Sequence, residues 1–369
     1  MMLSAGDEYP IHQTPEPIAY SGSDRNFYDR YFFNGYSADG AVFFAAAFGV
    51  YPHLNVMDGA FSILKDGVQH SVHVSRPLGM ERMDTTVGGL SISVLEPMTR
   101  IGLKLAETEG IAADLEFIGR AFPIEEPRFT YRQGPRMLID CTRMTQNGHW
   151  SGTLTLDGET ITVGGPTWQG TRDRSWGVRP IGAPDPQPLT PAQMPQFYWI
   201  WTPLNFGDRS VHFHVNDDGA GEAWNTRAKI VPDGSAHGED IEMAACRAEV
   251  TYEPGTRRAQ RASLVFTDKQ GRGLGVDLEP VHTFMMKGIG YGHPERRHGA
   301  YHGEQLSILR ETLTPADLNW QQPDNLHIQA ISRAVLTDEA GKRHEGIGSF
   351  EQLFLGPHAP SGWTNVLDA

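Results

Sequence analysis

Asp173 lies in the most unusual segment of the sequence, among three arginines and close to Trp176. In an apolar, aromatic-lined cavity the ionised form of an aspartate is destabilised, so its pKa rises and it can act as a general acid. The alternative is a structural corner, in which Trp176 fills the end of a barrel and Asp173 pairs with an arginine. The candidate arginines are Arg172, Arg174 and Arg179. The two interpretations therefore differ in the charge state of Asp173.

A second polar cluster, Tyr291–Glu304, contains three histidines and two tyrosines between two predicted strands. His302 closely precedes the apolar strand Leu306–Leu309, which predicts a place near the mouth of a barrel, where a histidine can relay protons near neutral pH. Tyr291 is a further catalytic candidate in this cluster. The alternative is a polar surface loop without chemistry.

His212 and His214 share one face of the predicted strand Val211–Asn216, because side chains alternate along a strand. Such a pair can supply two zinc ligands. No third ligand is obvious nearby in the sequence, so we predict no metal site. The remaining interpretations are polar side chains facing solvent or a histidine facing a cavity, and His214 is the candidate for a cavity.

Trp199 and Trp201 also share one face of a predicted strand. Core packing is the favoured interpretation. The alternative is the wall of a ligand cavity, because a barrel of about eight strands can enclose one small apolar molecule. Asn34, Tyr36 and Arg179 are further substrate-binding candidates, although Asn34 could instead simply hold a turn.

The elements that must position these residues are predicted to be short β-strands. Apolar alternation over short runs, bounded by glycine, proline and aspartate, predicts an all-β chain with very little helix. Six prolines between Pro180 and Pro195 exclude a central strand and indicate a linker. We therefore expect two consecutive β-barrels, at residues 1–180 and 196–369, joined by a linker at 181–195.

Composition excludes several classes of function. Among 369 residues the formal net charge is −14, which disfavours binding to nucleic acid. The two cysteines, Cys141 and Cys246, rule out a disulfide scaffold, although one bridge between them stays open. The sequence contains no run of about 18 apolar residues, so no membrane span is predicted. No secretory signal is evident either, and a cytoplasmic location is expected. No glycine-rich phosphate loop or other cofactor motif occurs, so no cofactor is expected.

Three segments carry a resemblance to a known family. They are Asp173–Arg179, which reads Asp-Arg-Ser-Trp-Gly-Val-Arg, the early segment Tyr31–Tyr36 and the terminal strand Phe350–Gly356. Together they resemble the lipocalin-like, double-calycin proteins related to carotenoid 1,2-hydratase (hydroxyneurosporene synthase). Many members have a histidine where this chain has Arg174. The resemblance implies two calycin barrels, with Asp173 near their junction and protonating a carbon–carbon double bond.

The leading hypothesis is a cofactor-independent lyase or isomerase of the hydratase, dehydratase or cyclase type. Its substrate would be a hydrophobic small molecule, isoprenoid-like or polycyclic, held in a barrel cavity. Asp173 would be the acid, with Trp176 and neighbouring tryptophans stabilising a carbocation through their π faces. The alternatives are a non-catalytic lipocalin-like carrier and a metal-dependent hydrolase using His212, His214 and His302. The sequence determines neither the substrate nor the oligomeric state.

Overall fold

Short antiparallel strands make up most of the chain, as the alternation predicts. The computed structural model describes residues 10–185, 187 and 194–369. In the first half the strands are β1 (Phe27–Ser37), β2 (Val42–Tyr51), β3 (Val56–Lys65), β4 (Val68–Pro77), β5 (Thr86–Val87), β6 (Leu90–Glu96), β7 (Arg100–Thr108), β8 (Ile111–Gly119), β9 (Ile124–Glu125), β10 (Phe129–Gln133), β11 (Arg136–Leu156), β12 (Glu159–Val163) and β13 (Trp168–Val178).

The second half contributes ten strands among the described residues. They are β14 (Phe197–Phe206), β15 (Arg209–Asp217), β16 (Ala223–Pro232), β17 (Ile241–Glu242), β18 (Ala245–Tyr252), β19 (Ala259–Thr267), β20 (Gly273–Met285), β21 (Ser307–Leu313), β22 (Ile328–Thr337) and β23 (Arg343–Leu355). The helical segments are single 3₁₀ turns at Gly165–Thr167, Met286–Ile289, Pro315–Asp317, Pro323–Asn325 and Ala359–Ser361. No helix in the described ranges is long and apolar enough to cross a membrane.

The strands form two antiparallel sheets, each of which curls back on itself. The first has the order β21-β4-β3-β2-β1-β13-β11-β8-β7-β6-β5, with β9, β10 and β12 paired to β11. The second has the order β17-β16-β15-β14-β23-β22-β20-β19-β18. In the first sheet β5 contacts β3 and β4, and in the second β16 contacts β18, so both sheets approach closure. The predicted all-β double-barrel fold is confirmed.

One strand crosses between the two halves of the sequence. β21 belongs to the second half but pairs with β4 of the first sheet, with Leu309 opposite His73. About half of the predicted linker, residues 186 and 188–193, lies outside the described residues. The N-terminal stretch 1–9, in which no secretory signal was expected, also lies outside them. The division into domains at 180 and 196 stays a prediction.

Three hydrophobic clusters stabilise this arrangement, one inside each sheet and one between the sheets. The alternation of β1 shows how they are built: Phe33 packs in the core of the first sheet, whereas its neighbour Phe32 packs in the cluster between the sheets. Strand β2 is buried on both faces, which explains its nearly continuous apolar sequence Val42–Tyr51. Both cysteines are free thiols, Cys141 buried and Cys246 partly exposed.

Candidate active site

A cavity of about 400 Å³ lies between the two sheets, and its wall is mainly aromatic. β1, β10 and β14 supply most of the rings, which are Tyr28, Phe32, Phe129, Phe197, Trp199 and Trp201. All six rings pack in the cluster between the sheets rather than in the core inside either sheet. This cavity is therefore formed jointly by both halves, and the expectation of a ligand inside one barrel stays a prediction.

Asp173 faces this cavity from β13, flanked by Phe32 on β1 and Thr145 on β11. Its carboxyl group has no hydrogen bond or ion pair with any residue that the structure describes. Burial raises the pKa of Asp173 to about 7, with the negative charge of Glu126 acting in the same direction and the Arg143 guanidinium opposing it. At neutral pH a large fraction of Asp173 therefore carries a proton that it can donate.

The three arginines near Asp173 bind other partners. Arg174 forms an ion pair with Asp29, and Arg172 Nε donates to Gln146 Oε1 at 2.6 Å. Arg179 lines the cavity, as expected for a substrate-binding residue, and its Nη2 lies 3.1 Å from His298 Nδ1. The structural-corner interpretation required a pair between Asp173 and an arginine. No such pair exists among the described residues.

Trp176 does not contribute to the cavity wall. Asp173 and Ser175 face the cavity, whereas Trp176 lies on the opposite face of β13 and is 39% exposed, with the Arg174 guanidinium 5.9 Å from its ring centroid. The structure therefore does not bring Trp176 together with the cavity residues, and its predicted substrate contact stays a prediction. Strand alternation contained the signal, because residues three apart in a strand point to opposite faces.

Trp199 and Trp201 do form the wall, from one face of β14. Trp201 Nε1 donates to Glu126 Oε1 at 2.9 Å, and Trp199 Nε1 donates to Glu351 Oε1 at 3.3 Å. The Arg143 guanidinium lies 4.8 Å from the Trp199 ring centroid and so already occupies one of its faces. The Trp201 ring has no such cation near it among the described residues, which leaves it better placed to stabilise a cation in the cavity.

Glu126 is a buried carboxylate that the sequence analysis did not single out. Arg143 Nη2 lies 2.5 Å from Glu126 Oε2, an ion pair whose alignment is too poor for a hydrogen bond. Burial opposes ionisation, but Arg143, His214 and hydrogen bonds from Thr145 and Trp201 outweigh it and lower the pKa of Glu126 to about 2. Glu126 therefore stays ionised and places a negative charge near Asp173.

His214 supports this cluster from behind the wall instead of lining the cavity. Its Nδ1 lies 3.8 Å from Glu126 Oε2, and burial lowers the pKa of both His214 and its neighbour His212 to about 4. His214 is not among the residues that line the cavity, and its predicted substrate contact stays a prediction. The two histidines do share a face, but that face is buried rather than exposed to solvent.

The remaining candidates are divided between the cavity and other places. Tyr291 lines the cavity, with the guanidinium of Arg30 4.9 Å from its ring centroid. His302 borders a separate space of about 20 Å³ beside Asp58. Asn34 and Tyr36 are fully buried between the sheets and do not line the cavity. The roles predicted for these three residues stay predictions.

His327 and Glu351 are among the cavity residues that the sequence analysis missed. His327 Nε2 lies 2.7 Å from Glu351 Oε1, and both side chains line the cavity. Glu351 is the one carboxylate in the run Gly346–Leu355 of β23, which is a signal that the sequence did contain. His327 precedes β22 in an irregular segment, where no periodicity identifies the direction of a side chain.

His73, His293 and Glu311 form a group of possible metal ligands away from this cavity. The donor chemistry does not suit a metal at His293, because its Nδ1 accepts the backbone N–H groups of Glu295 and Arg296. With Nδ1 used as an acceptor, a neutral His293 carries its proton on Nε2, the atom that faces Glu311. A metal-bound histidine instead donates from its second nitrogen.

Solved structures with a similar fold cover most of this chain. Kievitone hydratase from Nectria haematococca has a TM-score of 0.52 and 11% identity, with 88% of each chain covered. CghA has a TM-score of 0.54 and 12% identity, with 90% of this chain and 89% of CghA covered, and it is also known with Sch210972. A protein of Nitrosomonas europaea described as AttH has a TM-score of 0.51 and 11% identity, with 93% and 98% covered.

At these identities the similarity shows the fold alone, and the hydratase and CghA share the lipocalin-like fold family to which the sequence resemblance pointed. No curated protein sequence matches this chain. One family model does match it, over residues 3–364. The chain therefore belongs to a family of unknown function, DUF8625.

Proposed function

We propose that this protein is a cofactor-independent lyase or isomerase that protonates a carbon–carbon double bond of an apolar small molecule. The observation that carries the proposal is the Asp173 carboxyl group, which is unpaired among the described residues and faces an aromatic cavity with its pKa raised to about 7. A volume of about 400 Å³ falls within the usual range for small-molecule sites and suits an isoprenoid-like or polycyclic substrate.

In the proposed reaction the π electrons of the substrate form a new C–H bond with the proton of Asp173, whose O–H bond breaks. The product is a carbocation in the substrate and an ionised Asp173. The π face of Trp201 stabilises the cation, an effect worth roughly 0.5–2 kcal/mol. Water then adds to give a hydrated product, or a proton leaves to give an isomer. Internal attack by a second double bond would give a ring.

The fold neighbours are compatible with this chemistry, since one of them is a hydratase by name. The cavity itself also favours a mechanism of this kind over metal-assisted hydrolysis, because the His212 and His214 pair lies outside it. A carrier would need the aromatic wall but would have no use for an unpaired acidic group. That difference is the basis of the test.

The test uses the small molecule that co-purifies with the protein, together with a panel of isoprenoid and polycyclic alkenes, in D₂O. Wild type should form a new C–D bond, detected by mass spectrometry. Asp173→Asn should lower the rate at least about 100-fold while ligand uptake is retained. The control Asp114→Asn changes an exposed aspartate on β8 and should leave the rate unchanged. Uptake without any C–D formation by wild type would establish a carrier instead.

A further inference from the structure

The reaction that Asp173 begins ends with the loss of a proton from the added water or from the cation. The Asp173 carboxylate left by the first step can accept that proton, and so can a second cavity residue with a free lone pair, if one faces the same space. The hydrogen bonds behind the cavity wall identify a residue of this kind, because they fix which atom donates at each step of a series of hydrogen-bonded side chains.

The series of hydrogen bonds starts at a backbone N–H group, which can only donate. The N–H of Thr171 donates to an Asn34 side-chain atom at 2.8 Å, so that atom must be the carbonyl oxygen Oδ1. The other atom, Nδ2, then donates to Gln329 at 3.1 Å and to Ser349 Oγ at 2.8 Å. Since Nδ2 is a donor, the Gln329 atom that it meets must be the oxygen Oε1. Asn34, which the sequence placed at the ligand, thus sets the orientation of Gln329.

The orientation of Gln329 determines which of its atoms meets Glu351, which lies directly opposite it on the neighbouring strand β23. With Oε1 used as an acceptor, Gln329 presents its Nε2 to Glu351 Oε2 at 2.7 Å. Trp199 Nε1, which can only donate, meets Glu351 Oε1. Both carboxylate oxygens of Glu351 therefore accept hydrogen bonds from donors whose direction is fixed.

The last step places the proton on His327. Glu351 Oε1 accepts, so His327 Nε2, 2.7 Å away, must carry the hydrogen. In the neutral ring Nδ1 then holds the lone pair. Nδ1 has no hydrogen-bond partner within residues 10–185, 187 and 194–369, it is not among the fully buried unpaired atoms, and the ring lines the cavity. A carboxylate on one nitrogen and an open lone pair on the other is the arrangement of a histidine general base.

We propose that His327 is the general base of this cavity, with its tautomer fixed by the chain Asn34–Gln329–Glu351. The inference rests on the proposed function. In hydration, the water oxygen forms a C–O bond with the carbocation, and an O–H bond breaks as its proton passes to Nδ1. In isomerisation, Nδ1 takes a C–H proton and that electron pair becomes the new double bond. The resulting imidazolium is stabilised by the Glu351 carboxylate. His327 then releases its proton to solvent and Asp173 takes one up, which returns both groups to their starting forms.

The first test is independent of any substrate. Nuclear magnetic resonance of the full chain with ¹⁵N-labelled histidine reports which nitrogen of His327 is protonated in the neutral ring, and a His327→Gln sample assigns the signal. We expect hydrogen on Nε2 and none on Nδ1. Hydrogen on Nδ1 would overturn the inference, because the ring would have no lone pair directed at the cavity. This result does not depend on whether Asp173 is an acid.

The second test uses the alkene that wild type converts. His327→Gln should lower kcat by roughly 100-fold to 10,000-fold with KM nearly unchanged. The matched control His344→Gln alters an equally paired histidine, bonded to Asp338 at 2.9 Å and outside the cavity, and should leave kcat unchanged. Equal kcat for His327→Gln and wild type would refute the role of His327. Loss of C–D formation only in Asp173→Asn would then leave the proposed function intact.

Discussion

Replacing Asp173 by asparagine should change how the stability of the protein depends on pH. The pKa of this carboxyl group is raised from 3.8 to about 7 in the folded protein. Between these values the unfolded chain releases the proton while the folded chain keeps it. The free energy of unfolding of wild type should therefore fall as the pH rises from about 4 to about 7, and the asparagine variant lacks this loss.

The size of the effect follows from the shift. A shift of about three pKa units, at roughly 1.4 kcal/mol per unit, corresponds to at most about 4 kcal/mol. Between pH 4 and pH 8 the free energy of unfolding of Asp173→Asn should therefore rise by up to this amount relative to that of wild type. Below about pH 4 both states of wild type are protonated, so the difference between the two proteins should be constant there. Other carboxyl groups titrate in both proteins and cancel in the comparison.

The measurement is urea-induced unfolding of wild type and Asp173→Asn at several pH values from 4 to 8.5. The exposed Asp114, which pairs with Lys104 at the surface, supplies the control Asp114→Asn, whose difference from wild type should be nearly independent of pH. A difference between Asp173→Asn and wild type that stays flat over this range would refute the raised pKa, and with it the argument that Asp173 is a proton donor at neutral pH.

Two further changes test the surroundings of the site. Glu126→Gln should lower the free energy of unfolding by about 3–5 kcal/mol at pH 7, because it leaves the Arg143 guanidinium buried without its partner. Since the pKa of Glu126 is lowered to about 2, wild type should lose this advantage over the variant as the pH falls from about 4.5 to 2. Equal unfolding midpoints of the two proteins at pH 7 would contradict a stabilising ion pair between Glu126 and Arg143. Trp176→Ala should change stability by less than about 1 kcal/mol and leave ligand uptake unaffected, as a binding assay would show; weaker uptake would place Trp176 back at the ligand.

Local patterns in the sequence were sufficient for the class of fold. Period-two alternation and closely spaced turn residues act over a few positions, so the strands and the near absence of helix could be predicted. The pairing of β21 with β4 could not be predicted, because the residues of a strand do not by themselves specify which distant strand it pairs with.

The candidate site was predictable only in part. Asp173, Arg179, Tyr291, Trp199 and Trp201 were selected by residue type and do line one cavity. Their roles in binding and catalysis remain proposals.

By itself, the sequence determined that this is an all-β chain, since the alternation of apolar residues is a property of neighbouring positions. Only the tertiary structure decided where the cavity lies and what charge Asp173 carries. The cavity is formed by side chains of two sheets, and the pKa of Asp173 depends on burial and on Glu126 and Arg143. Desolvation and Coulomb interactions act through space, so residues far apart along the chain set the chemistry of this carboxyl group.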